Sequence, residues 1–439
     1  MMLRLRWPGV LLTVAVSAWG QPAPAGDSFL LRGGTIHTIS GPVIEQGSVL
    51  VRNGKIVGVG RNLAAPEGTA VIDIQGKHVY PGMIDSAAMP GLEKPSAEGG
   101  ADAKEMGLFN PQLRAVAGFN PADEHIPAAR ANGITSVMEM PAGDLIGGQL
   151  SLIHLDGGTN DMVTVAESTG VWLRFPAIEG APVPGHDHDD DDEEPTTAVE
   201  AEPVSFAAAK KAFEDKMQAL NGFFEDVRRY GVAKLAGVAG FLLNLRFEAM
   251  LPVLDGKTPL FVVATREREI REAIAFGDVQ KVRIILADPY EAYKVLPLIK
   301  AHKIPVVLGP TFTLPLDADD DYDRSYTTPA ALYKAGITFS IATFSSRLSR
   351  NLPYQAAAAV GFGLPAEEAY KAVSLSAAEI FGLGKRLGSI DEGKVADLIV
   401  TDGNPLETMT HVTQVFINGR PVSLETRQKL LYEKYLARP

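Results

Sequence analysis

Cysteine is absent from all 439 residues, which excludes disulfides, lipid attachment at an N-terminal cysteine and any thiolate chemistry. Stability must therefore come from packing. Long apolar runs are lacking too: the run from Val10 to Val16 falls well short of the roughly 20 residues that a membrane span requires. Basic clusters are also missing. The formal charge is −12, and no stripe of Lys or Arg is available to neutralise phosphates, so nucleic acid is excluded as a partner. Hydrophobic residues at 46% and charged residues at 21% are ordinary for a globular chain, which removes wholesale disorder from consideration.

What is present divides the chain into segments. Arg4 and Arg6 precede the short apolar run, and Ala18-Trp19-Gly20 follows it, the pattern of a secretory signal peptide over residues 1–20. Export to the periplasm or beyond is the expectation, with no span left after cleavage before Gln21. From Phe29 to Pro81, short β-type runs alternate with Gly33-Gly34 and Asn53-Gly54, and Asn-Gly between such runs is a strong hairpin signal. The pattern returns at Ala396–Val400, Val415–Ile417 and Asn418-Gly419. One composite β domain is expected, built from 27–82 and 386–425.

Between these ends, apolar runs such as Leu260–Val263, Val282–Leu286, Ile304–Leu308 and Gly336–Ile341 alternate with amphipathic stretches. That alternation predicts a parallel sheet covered by helices, and six or more repeats favour a closed barrel over 83–385. The stretch Ala207–Tyr230 has the spacing of a barrel-packing helix. Within the barrel, residues 180–203 hold seven carboxylates between Asp187 and Glu194 beside His186 and His188, and almost nothing to bury. A disordered acidic loop is expected there, with His186 and His188 as its only candidate metal ligands.

Three stretches carry a resemblance. Gly76-Lys77-His78-Val79-Tyr80-Pro81-Gly82-Met83-Ile84-Asp85 looks like the crossing from a β domain into barrel strand one. Leu387-Gly388-Ser389-Ile390-Asp391-Glu392-Gly393-Lys394-Val395-Ala396-Asp397-Leu398 looks like the return, and Asn351–Gln355 through Ala377–Leu383 resembles closing helices. Together they resemble the metal-dependent amidohydrolase superfamily, and within it the exported group similar to imidazolonepropionase. The resemblance implies an α/β fold, a TIM-like (β/α)8 barrel with a small β-sandwich domain formed from both chain ends.

It also implies a chemistry that this sequence does not carry. Coordination to a divalent metal lowers the pKa of water from about 15.7 to about 7, and relatives hold that metal with a His-Xaa-His pair after strand one and histidines after strands five and six. The matching positions here are Ala87 and Met89, then Thr265, then Asp288. The strand-eight aspartate that shuttles protons in relatives is matched by Phe344. No metal is therefore expected at the barrel mouth, and its mostly apolar lining is expected to close up on itself, a small-ligand pocket being the alternative. Glu139, Thr265 and Asp288 are the candidate pocket residues, with Arg266 as a further polar contact.

The leading expectation is a non-catalytic binding or partner subunit in a homo- or hetero-oligomer, possibly beside an active relative, and open to a small-molecule ligand. The rival is a hydrolase of carbon–nitrogen bonds in a cyclic amide or acylated amine, using relocated acids such as Glu139, Asp288 or Asp156, with zinc or a similar divalent ion if it uses metal at all. His154 is expected to be a hydrogen-bonded strand residue.

Overall fold

The computed structural model describes residues 28–92, 107–141, 143–178 and 205–438. The expected leader 1–20 and the acidic segment 180–203, including His186 and His188, lie outside the described residues. Two eight-stranded sheets organise the rest.

The first sheet draws on both chain ends. Strands β1 (Ser28–Ile36), β2 (Ile44–Arg52), β3 (Lys55–Arg61), β4 (Ala70–Asp73) and β5 (His78–Pro81) come from the start. In chain order the barrel then supplies β6 to β13, and β14 (Leu398–Thr401), β15 (Val412–Ile417) and β16 (Arg420–Val422) return to this sheet. The antiparallel pairing of β14 with β5, Leu398 opposite Pro81, joins the two ends. Both Asn-Gly pairs are tight turns, β2 to β3 and β15 to β16. Asn53 and Asn418 take φ of 49° and 50°, and Gly54 and Gly419 take 74° and 71°, the double left-handed geometry that matches strand twist. Alternate residues of these strands face a core containing Phe29, Val49, Val79, Leu398 and Phe416, with the Phe29 and Phe416 rings stacked at 4.5 Å.

The second sheet is a nearly closed barrel, ordered β6 (Met83–Ala88), β7 (Ile134–Glu139), β8 (Ile146–His154), β9 (Thr164–Arg174), β10 (Leu260–Val263), β11 (Ile284–Ala287), β12 (Val306–Leu308) and β13 (Phe339–Ile341). The fold is a TIM-like barrel with a β-sandwich domain. One departure from the expected all-parallel sheet is clear, because β8 runs antiparallel to both β7 and β9. The reason is chain length. Only residues 140–145 join β7 to β8, and a parallel crossover needs a dozen or more.

Each barrel strand has two buried faces. Outward residues such as Met83, Ile134, Val171 and Val262 meet the helices, including Leu220, Phe224 and Val227 of the helix Phe206–Leu235. That helix is the one expected over Ala207–Tyr230. Inward residues such as Ile84, Met138, Trp172, Phe261 and Ile285 fill the barrel itself. Gly82, just before β6, packs directly on Thr135 of β7; a Cβ there would sit 2.2 Å from Thr135 Oγ1.

Candidate functional site

The seam between β6 and β13 closes through buried polar contacts. Asp85 is wholly buried and accepts hydrogen bonds from Thr343 N at 3.1 Å, Thr343 Oγ1 at 2.5 Å and Ser349 Oγ at 2.9 Å. Burial outweighs these donors and pushes its carboxyl up to about 6. Ser86 and Ser340 share a 2.8 Å hydrogen bond one layer away, and Phe344 N donates to Ala87 O at 2.8 Å. In the sequence Asp85 stands only as the last residue of the stretch that crosses from the β domain into barrel strand one. Its role as the barrel's latch depends on donors some 258 residues away.

Ala87, Met89 and Phe344 all belong to the barrel's inner apolar cluster, with exposures of 0%, 4% and 5%. The Phe344 ring lies 6.5 Å from Phe261, which in turn lies 6.1 Å from Phe381 on the closing helical segment. These side chains offer no hard nitrogen or oxygen donor to a divalent ion, and a buried thioether suits only soft metals. Among the described residues there is no group of three or more His, Asp or Glu that could hold a metal ion. The donor set at the seam does not fit the ion that the family's chemistry requires.

A recess opens on the other side of the same barrel end, beyond the C-termini of β10, β11 and β12. It encloses about 90 Å³ and is lined by Thr265, Asp288, Tyr290, Thr313, Ser325 and Thr328, with Gly309 forming part of its wall. Thr265 follows β10, where its backbone N donates to Glu269 Oε2 at 2.9 Å and its carbonyl accepts from Glu291 N at 3.0 Å. Asp288 follows β11 in a left-handed backbone conformation, φ 49°. Its carboxylate lies against the backbone of Gly309, where a Cβ would come within 1.9 Å of Oδ1. Burial raises the Tyr290 phenol above its usual range, which keeps it a neutral hydrogen-bonding group. Tyr290, Ser325 and Thr328 went unnoticed in the sequence because they come from a short 3-10 turn and a flanking helix, where a hydroxyl carries no periodic signal.

The remaining candidates lie elsewhere. Glu139 is fully buried at the end of β7, in register with Ala88 on one side and Ser151 on the other, and does not line the recess. Arg266 is held away from it by a two-pronged contact with Asp317, at 2.6 and 3.0 Å. Asp156 follows β8, which the strand's reversal carries away from the recess, and it pairs with Arg130 at 3.1 Å beside a separate cleft. His154 lies 2.9 Å from Asp397 of the sandwich, a buried contact that ties the two domains. His37 and His78 pair at 3.0 Å in the sandwich, where burial, with His78 beside it, lowers His37 to about 4.

The sequence profile described as "Amidohydrolase family" matches residues 317–422. An amidohydrolase from Thermotoga maritima superposes with a TM-score of 0.76 at 26% identity, covering 90% of this chain and 99% of that one. The amidohydrolase tasK of Hapsidospora irregularis is 25% identical over 401 residues, 85% of this chain and 39% of that protein. The imidazolonepropionase of Thermoplasma volcanium is 31% identical over 115 residues, 24% of this chain and 28% of that enzyme. The chain thus spans well under half the length of the tasK protein. With the nearly closed barrel and the composite sandwich, these likenesses place it: the chain belongs to the amidohydrolase superfamily.

Proposed function

We propose that this chain is an exported, non-catalytic member of the amidohydrolase superfamily that binds a small polar ligand at the recess beyond β10 to β12. The observation that carries this reading is the chemistry of the barrel end. Ala87, Met89 and Phe344, which the sequence resemblance sets against the family's metal ligands and proton shuttle, are buried apolar groups, while Thr265 and Asp288 line an open recess. A general acid–base pair or a metal-bound hydroxide needs several ionisable groups around one reacting atom. Here one carboxylate lines the recess, beside several hydroxyls and the apolar side chains of Leu308, Pro310 and Leu316.

Such a lining suits recognition. The Asp288 carboxylate accepts from an ammonium or amide N–H, and the hydroxyls of Thr265, Thr313, Ser325 and Thr328 donate or accept as the ligand demands. The volume accommodates a group about the size of an amino-acid side chain. Amines and acylated amines of that size are the ligand class that these groups select.

The test uses protein lacking 180–203, so that His186 and His188 contribute no metal of their own. After mild dialysis and reconstitution with zinc or manganese, we expect well under one ion per chain and no turnover of cyclic amides or acylated dipeptides above the metal-free background. Binding of small amines should disappear in Asp288→Asn. One tightly held ion per chain, with turnover that Asp288→Asn abolishes, would overturn the proposal in favour of a hydrolase with a non-standard site.

A further inference from the structure

Among the described residues, two apolar surfaces stay largely exposed. The first is the helix Arg427–Leu436, which buries none of its residues. Thr426 caps it by accepting from Lys429 N at 3.1 Å, and Arg427 contacts Glu124. A helix of this length is marginal in water by itself, and most helices in proteins owe their stability to a packed apolar face. Leu431, Tyr432, Tyr435 and Leu436 supply such a face at helical spacing, with exposures of 38%, 66%, 53% and 70%.

The second surface lies where the helix Phe206–Leu235 turns into the helix Leu245–Leu254. Val232, Leu235, Val238, Leu242, Leu243 and Leu245 are each at least half exposed, and Leu235 reaches 91%. Six large apolar side chains, each at least half exposed within fourteen residues of chain, are an unusual density of exposed apolar surface, and large exposed apolar patches mark interaction sites.

We infer that the two surfaces cover each other between two copies of this chain: the helix 427–436 of one copy lies on the 232–245 patch of the other, and the exchange is reciprocal about a twofold axis. Three features support a second copy as the occupant. Each surface is apolar, a ridge of leucine and tyrosine against a larger saddle of leucine and valine that can seat it. Both belong to the same chain, so a twofold arrangement makes two identical contacts and closes without leaving either surface open. The areas also suffice. At roughly 200 Å² per large side chain, the exposed fractions of the ridge and saddle together come to on the order of 1,300 Å². Reciprocal exchange doubles that, which exceeds the ~1,600 Å² of a standard stable interface.

This inference does not depend on whether the recess binds or catalyses. The experiment is sedimentation velocity on the full chain and on two variants: Leu235→Glu with Leu242→Glu in the saddle, and Leu431→Glu with Tyr435→Glu in the ridge. All four positions are more than one-third exposed, so the fold should tolerate them, and circular dichroism checks that it does. We expect a wild-type dimer at micromolar concentration and a dissociation constant at least 100-fold weaker in each variant. An equimolar mixture of the two variants should regain partial dimerisation, because one intact ridge then meets one intact saddle. A wild-type monomer, variants that dimerise undiminished, or a mixture no better than its components would overturn it. A monomer whose ridge binds anionic phospholipid vesicles would assign the ridge to a membrane surface instead.

Discussion

The buried latch at Asp85 makes a quantitative demand on stability. Its carboxyl rises to about 6 in the folded chain from an ordinary value of 3.8, chiefly because burial penalises the charged form. The folded state therefore binds the Asp85 proton more tightly than the unfolded state does. Stability from this group is fully present below about pH 4 and is lost as pH rises through about 6. At 1.36 kcal/mol per unit, the span corresponds to about 3 kcal/mol. Asp85→Asn keeps the shape and one acceptor for the Thr343 and Ser349 donors but cannot ionise. Unfolding free energies of wild type and Asp85→Asn from urea titrations, compared at pH 4, 5, 6 and 7, should differ by an amount that drifts against wild type by about 2.4 kcal/mol across the range. A difference constant to within about 0.5 kcal/mol would show that the three hydrogen bonds offset desolvation and that Asp85 stays ionised throughout.

Three further outcomes follow from the same geometry. Gly309→Ala forces its new methyl against Asp288 Oδ1, so recess ligands should bind at least tenfold more weakly in calorimetry while far-ultraviolet dichroism is unchanged. Phe344→Ala removes a ring packed near Phe261 and should lower stability by about 3 to 5 kcal/mol in chemical denaturation; a loss under 1 kcal/mol would mean that the mouth is loosely filled. Ala87→His combined with Met89→His should give no hydrolysis of cyclic amides and should lower the melting temperature, since catalytic groups acting as a unit are not restored piecemeal and two imidazoles enter a buried apolar cluster.

Local chemistry made much of this fold readable. Asn53-Gly54 and Asn418-Gly419 announce their hairpins because only a narrow set of residues tolerates the double left-handed turn. The direction of β8 was not readable, because a strand buried on both faces shows the same apolar pattern whichever way it runs. The short connection 140–145 was the available signal. At the site, Thr265 and Asp288 stand out in the sequence because they follow the apolar runs of β10 and β11. The rest of the recess does not, since Gly309, Ser325 and Thr328 acquire meaning only when three strand ends and a helix converge.

The latch at Asp85, the Ser86–Ser340 contact and the His154–Asp397 tie hold the barrel seam and the domain junction, and none of them uses the side chains of Ala87, Met89 or Phe344. Those positions contribute differently. Burial of Met89 and Phe344 is worth about 1.5 to 3 kcal/mol each, together a sizeable share of the 5 to 15 kcal/mol by which most folded domains exceed their unfolded chains. Ionisable ligands crowded at that seam would require compensation by a bound ion, whereas apolar groups stabilise the barrel end unaided. The recess beyond β10 to β12 is then the part of the mouth left open, and Gly309 keeps it so by leaving room for the Asp288 carboxylate.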